Sequence, residues 1–220
     1  MKIKKAKEIK HYSHAEERIN IISHAFGFVL SIVALVLLVR YASIYGNAWH
    51  IVSFSVFGVS LIVLYASSTV YHSAKNPQFR KKMRIVDHAS IYILIAGTYT
   101  PFTLVTLNGF TGWVVFGATW GMAVTGIILK LFYTGKYESI STLMYVFMGW
   151  IIVFAIDPLI NNLSSEGLFW LVAGGMAYTT GAILYSIKKI KFNHAIFHVF
   201  VLCGSFCHFI AVYFYVLPGG

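Results

Sequence analysis

The sequence predicts an all-α membrane protein, a seven-transmembrane-helix bundle with its N-terminus cytoplasmic and its C-terminus extracytoplasmic. Three observations lead there. At 58% hydrophobic and 11% charged residues, the chain is far poorer in charge than a soluble domain, where Asp, Glu, Lys and Arg make up about a quarter. Apolar segments of spanning length recur at approximately 19–41, 48–72, 84–106, 112–132, 139–157, 167–187 and 194–216, and roughly 20 such residues cross the hydrocarbon core as a helix. The connections between them alternate between basic and free of Lys and Arg, which sets the orientation.

Residues 1–18 carry Lys2, Lys4, Lys5, Lys7, Lys10 and Arg18, a basic arm expected to lie on the cytoplasmic side against anionic headgroups. The apolar run that follows has full spanning length and no small-residue cleavage pattern, so it reads as the first helix and not as a cleavable signal. The connection 73–83 contains Lys75, Arg80, Lys81 and Lys82, with Arg84 just beyond; the fourth helix ends at Lys130 before Lys136; and 188–191 reads Lys-Lys-Ile-Lys. Connections 42–47, 107–111 and 158–166 contain no Lys or Arg, and Arg40 is the single basic residue placed on the outer side. The formal charge of +10 is therefore a topological signal, and membrane lipids, with no nucleic acid, are the expected partners. Tyr41, Tyr45, Trp49, Trp113, Tyr213 and Tyr215 fall near the outer interface as an aromatic belt. Cys203 and Cys207, spaced i,i+4 in one helix, have poor geometry for a disulfide.

The polar residues inside the spans gather at their cytoplasmic ends. His194 and His198 open the seventh helix four residues apart, so both imidazoles lie on one face and can reach a common ion. His72 closes the second helix, Ser68 precedes it by one turn on the same face, and Asp87 opens the third. Ionisable groups at membrane depth are costly and usually face a bundle interior. Three imidazoles with an open position suit catalytic zinc, and a nearby carboxylate could hold the metal's water. Iron, nickel and copper accept the same ligands. His208 projects near the face of His194 but some 15 Å deeper than His198, as a cavity-lining residue. His11, His14, His50 and His88 read as hydrogen-bonded interfacial residues. Two axial haem ligands would approach from opposite faces, unlike this pair, and a seventh helix without lysine excludes a retinal Schiff base there.

At these residues the chain resembles the haemolysin III family, the bacterial branch of the progestin and adiponectin Q receptor superfamily. The resemblance covers most of the chain. It rests on Glu17-Arg-Ile-Asn20-Ile-Ile-Ser23-His24-Ala-Phe-Gly27-Phe28, on Ser68-Thr-Val-Tyr-His72, on Asp87 within Val-Asp-His-Ala-Ser-Ile-Tyr, and on His194-Ala-Ile-Phe-His198 followed by His208-Phe. It implies seven helices around a zinc ion held by His72, His194 and His198, with Asp87 contacting a zinc-bound water and Ser68 nearby. It also implies a bacterial inner-membrane location and kinship with alkaline ceramidases. Two functions follow. One is a zinc-dependent intramembrane hydrolase of a lipid amide or ester, with Asp87 and Ser68 as its catalytic residues; the other is a non-enzymatic lipid-state sensor or haemolysin-like pore in which zinc only ties helices together. A fourth protein ligand favours the second and an open position the first.

Overall fold

The computed structural model describes residues 12–134 and 137–217. These residues form helices and short connections, with no strand among them. Seven helices are long and apolar enough to cross a membrane: α1 His14–Tyr45, α2 Ala48–Ser73, α3 Pro77–Leu107, α4 Gly109–Tyr133, α5 Glu138–Asn162, α6 Ser165–Ser186 and α7 Asn193–Val216. Neighbours in sequence pack together from α1 to α4, α6 packs on α7, and α7 returns to α1 to close one side of the ring. α5 touches α3, α4 and α6 only sparsely.

α1 shows how the bundle is sorted by polarity. Its inward face carries Asn20, His24, Gly27, Ser31, Leu38 and Ala42, residues three, four or seven apart and therefore on one helical stripe. Ile22, Phe26, Val29, Val33 and Val36 point outward. With lipid as the surrounding solvent there is little gain in hiding apolar side chains, so this inward stripe admits small and polar ones beside Leu38.

Two helices begin earlier than the apolar runs suggest. α1 starts at His14 because the Ser13 side chain accepts from the Glu16 amide at 3.2 Å, with Glu16 and Glu17 in the first turn. α3 starts at Pro77, where Asn76 Oδ1 accepts from the amides of Gln78 (2.9 Å) and Phe79 (3.0 Å) and proline occupies the first helical position. Residues 14–18, read from sequence as part of a basic arm, and 77–83, read as a loop, are thus helical. The rest of the arm, 1–11 with His11, lies outside the described residues. Arg80, taken as a loop charge, is only 7% exposed.

Interior prolines mark the irregular turns. After Pro101, α3 continues as a π-helical turn over Phe102–Leu107. α5 breaks after Gly149 into a 3-10 segment, Ile151–Ala155, before Pro158 and a last α-helical stretch, Ile156–Asn162. The Tyr99 hydroxyl closes that break, donating to the Gly149 carbonyl at 2.8 Å and accepting from the Ile152 amide at 3.0 Å. At the end opposite the histidines, Tyr41 meets Tyr45 and Tyr213, and Trp49 meets Trp113. The cysteines Cys203 and Cys207 are both free.

α4 can lie close to α3 because glycine faces it. A Cβ on Gly112 would stand 2.1 Å from the Thr103 carbonyl oxygen, and one on Gly126 would stand 2.3 Å from the Tyr92 ring, whereas one on Gly117 would meet nothing within 4 Å. Overpacking of this kind costs about 1–3 kcal/mol. Gly112→Ala should lower the melting temperature of detergent-purified protein by several degrees while Gly117→Ala leaves it unchanged; equal melting temperatures would contradict the packing of α4 on α3.

Candidate metal centre

α2 ends and α7 begins at the same end of the bundle, so His72 meets His194 and His198 across the helix interface. His72 Nε2 lies 3.1 Å from His194 Nε2, and His198 Nε2 lies 3.1 Å from the same atom. Ligand atoms of the three residues all fall within 4.8 Å of one another, and all three residues are buried. A neutral imidazole nitrogen offers either one N–H or one lone pair. His194 Nε2 stands in both contacts but offers only one N–H or one lone pair, so the three ring nitrogens cannot close both as well-aligned hydrogen bonds. A cation shared by their lone pairs satisfies them together. A tetrahedral ion with bonds of about 2.0–2.1 Å would hold its nitrogens about 3.3–3.4 Å apart, close to the separations found. The residues fit a divalent metal.

The surrounding shell supports that reading. Glu17 Oε2 accepts from His72 Nδ1 at 2.6 Å, which fixes the tautomer and turns the Nε2 lone pair towards the cluster. The other oxygen of Glu17 takes an N–H from Arg80, whose second guanidinium nitrogen donates to the His72 carbonyl at 3.3 Å. Arg80 also stacks on Tyr71, 4.8 Å from the ring centre. Asn20, fully buried, brings its amide to 3.4 Å from His72 Nδ1. Tyr12 lies parallel to the His194 ring at 4.7 Å and closes the cluster from the bundle end. Burial pushes the Tyr12 hydroxyl pKa up, so it stays neutral. His24 stacks on His198 with ring centres 3.6 Å apart. It adds no ligand atom, and among the described residues the metal-ligating group closes at three.

Asp87 is 7% exposed and lines the same cavity as His194 and His198. His72 and Arg84 are among its neighbours. The Ser68 hydroxyl faces the Asp87 carboxylate without closing a hydrogen bond of good geometry. The cavity, of about 200 Å³, runs between α3, α5, α6 and α7. Asp87 and Phe102, both on its wall, are roughly 22 Å apart along α3 at the helical rise of about 1.5 Å per residue. Ile91, Leu94, Ile95, Val153, Leu168 and Leu171 make most of its length apolar. His208 lines it away from the cluster and donates to the Leu171 carbonyl at 3.2 Å, in the place its depth predicted. His50 caps α2 with Asn47 at the opposite end.

The five site residues singled out in the sequence thus meet at one end, three as a nitrogen cluster and two beside it. Sequence reasoning missed Arg80 and Tyr12 and gave no role to Glu17, Asn20 or His24. One signal was present: Glu17, Asn20 and His24 follow i, i+3, i+7 spacing and share a helical face, and an acid on that face stands out in a basic arm.

Comparison with known proteins agrees with this architecture. Residues 12–209 match the family described as Haemolysin-III related. The chain is 49% identical over 203 residues to Hemolysin-3 of Bacillus cereus, covering 92% of this chain and 93% of that one. It is 46% identical over 200 residues to the Hemolysin-3 homolog of Bacillus subtilis (strain 168), with 91% and 94% covered. It is also 30% identical over 215 residues to the human Monocyte to macrophage differentiation factor, with 93% and 85% covered, which supports the link to the wider receptor superfamily. Seven apolar helices and a match across nearly the whole chain make this protein a multi-pass bacterial membrane protein that belongs to the haemolysin-III-related family.

Proposed function

We propose that the protein is an intramembrane hydrolase of a lipid amide or ester that depends on a divalent metal, zinc by preference, with its histidine end facing the cytoplasm. The observation that carries the reading is three buried imidazole nitrogens converging, with no fourth ligand among the described residues, at the end of a long apolar cavity that also holds a buried carboxylate. Three protein ligands leave the open position that catalytic zinc uses, whereas structural sites are usually closed by four. When bound, such an ion lowers the pKa of its water towards about 7 and polarises a carbonyl.

The protein's own groups would do the rest. His72, His194 and His198 hold the ion; Glu17 keeps His72 in its ligating tautomer and makes it more basic. Asp87 takes the proton from the attacking water and passes it to the leaving amine or alcohol. Ser68 donates its hydroxyl to the carbonyl oxygen as negative charge builds there. The acyl chain lies in the cavity between α3, α5, α6 and α7, and each CH₂ withdrawn from water adds about 0.8 kcal/mol. Sparse contacts around α5 provide a side through which a lipid can enter from the bilayer.

Orientation follows from the basic connections. A reporter fused to the N-terminus should be protected in intact cells and one at the C-terminus accessible from outside; the reverse pattern would invert the site.

Purified protein should carry about one zinc per chain. His72→Ala, His194→Ala and His198→Ala should each lower zinc occupancy and thermal stability, since a site joining α2 to α7 adds its binding energy to the folded state, and His50→Ala should do neither. Glu17→Gln should weaken zinc by about 10- to 100-fold without abolishing it. Full occupancy in a double His194→Ala, His198→Ala variant would refute the metal centre.

Asp87→Asn separates catalysis from a structural role. At matched zinc occupancy, turnover of long-chain ceramides or phospholipids should fall about 10²- to 10⁴-fold with loss of the general base. A structural metal would instead leave a variant whose activity tracks only its folded fraction.

A further inference from the structure

Beyond the metal centre, the same cavity carries a cation that the proposed chemistry does not use. Lys130, near the end of α4, is only 4% exposed and lines the cavity wall. Its ammonium lies 5.9 Å from the centre of the Tyr145 ring. No carboxylate among the described residues lies within ion-pairing distance of it: Glu138, the nearest acidic neighbour, is paired with Arg84 across the α3–α5 interface. Asp87 is turned to His72, Ser68 and Arg84 instead. A second recess, lined by Tyr137, Glu138, Thr142, Tyr185 and Lys188, adjoins the cavity at this end and shares Glu138, Thr142 and Tyr185 with it.

An unpaired ammonium in an apolar wall is costly, because low-dielectric surroundings disfavour a charge without a counter-ion. Here the cost falls at the end of the apolar cavity that also holds Asp87 and His88. Glu138 and His88 share the wall with Lys130, but the Glu138 carboxylate is already paired with Arg84 and leaves the ammonium without a direct counter-ion among the described residues.

We infer that Lys130 is the headgroup anchor of a binding site for a single-chain lipid with an anionic head, carboxylate or phosphate, whose tail fills the cavity. The site is separate from the histidines. The inference rests on the acyl-chain reading of the cavity but not on hydrolysis. For a hydrolase that cleaves an acyl amide or ester, a fatty-acid carboxylate is the product such an anchor would draw away from the metal.

The test titrates detergent-purified protein with tritiated palmitate, hexadecyl phosphate and hexadecanol, which share a chain length and differ in the head. A hydrogen-bonded charge contact supports a preference of about 10- to 100-fold for an anionic head over the alcohol, and the stronger of the two anions identifies the head. Lys130→Met, of similar length and without charge, should remove the preference and leave hexadecanol binding as it was; Lys130→Arg should retain it. Equal binding of all three by the wild type would overturn the anchor while leaving the acyl cavity in place. A preference that survives Lys130→Met would belong to the metal and would also overturn it. Should Lys130→Met fail to fold, the comparison is repeated on wild type stripped of metal by a chelator: a preference that persists there supports the Lys130 anchor, and one that is lost belongs to the metal and overturns it. No binding of any of the three would remove the acyl-chain reading itself.

Discussion

The Glu17 carboxylate is the contact on which the site end of this bundle depends. One oxygen accepts from His72 on α2 and the other from Arg80 at the start of α3, so a single side chain of α1 ties three helices. A half-buried carboxylate in lipid surroundings would be costly alone. Paired on both oxygens, it becomes a fixed reference for the His72 ring. From His72 the order passes to α7 through His194 and His198. Arg80 then returns to the His72 carbonyl, which closes a loop of polar contacts around the cluster.

That loop explains why the interior of an apolar protein is polar at one end. Lipid outside removes much of the advantage of an apolar core, so small and hydrogen-bonding residues share the inside with apolar ones. The α1 stripe Asn20, His24, Gly27 and Ser31 is the clearest case. Glycines on α4 bring the helix close to α3, while α5 stays at a distance. The same difference in packing leaves the long cavity between α5 and its neighbours, with the histidines at one end and apolar walls along the rest.

The cavity relates the two charged features of this end. The metal-ligating nitrogens and Asp87 suit bond cleavage at a carbonyl, and Lys130 suits retention of an anion. Under the proposed hydrolase reading, an acid released beside a metal would need a second cation to receive it, because a carboxylate is itself a good ligand for zinc. Arg84 belongs to both features, neighbouring Asp87 and pairing with Glu138.

Hydropathy, charge and residue spacing were enough to read the class, the seven spans and the five residues at one end. Apolar runs of spanning length have few structural solutions in lipid, and alternating connections place His72, Asp87, His194 and His198 at one depth. Where α1 and α3 begin was misjudged, because a polar helical extension looks like a loop when only hydropathy is read; the Ser13 and Asn76 caps were the signal to weigh. Tertiary structure alone decided that Glu17 and Arg80 turn inward, that His24 stacks on His198 without joining the cluster, and that Lys130 sits in the cavity wall. Each of these depends on which face of one helix meets another. Spacing within a helix fixes a face, but the partner of that face is set by packing between residues more than fifty positions apart, as in Glu17 with His72.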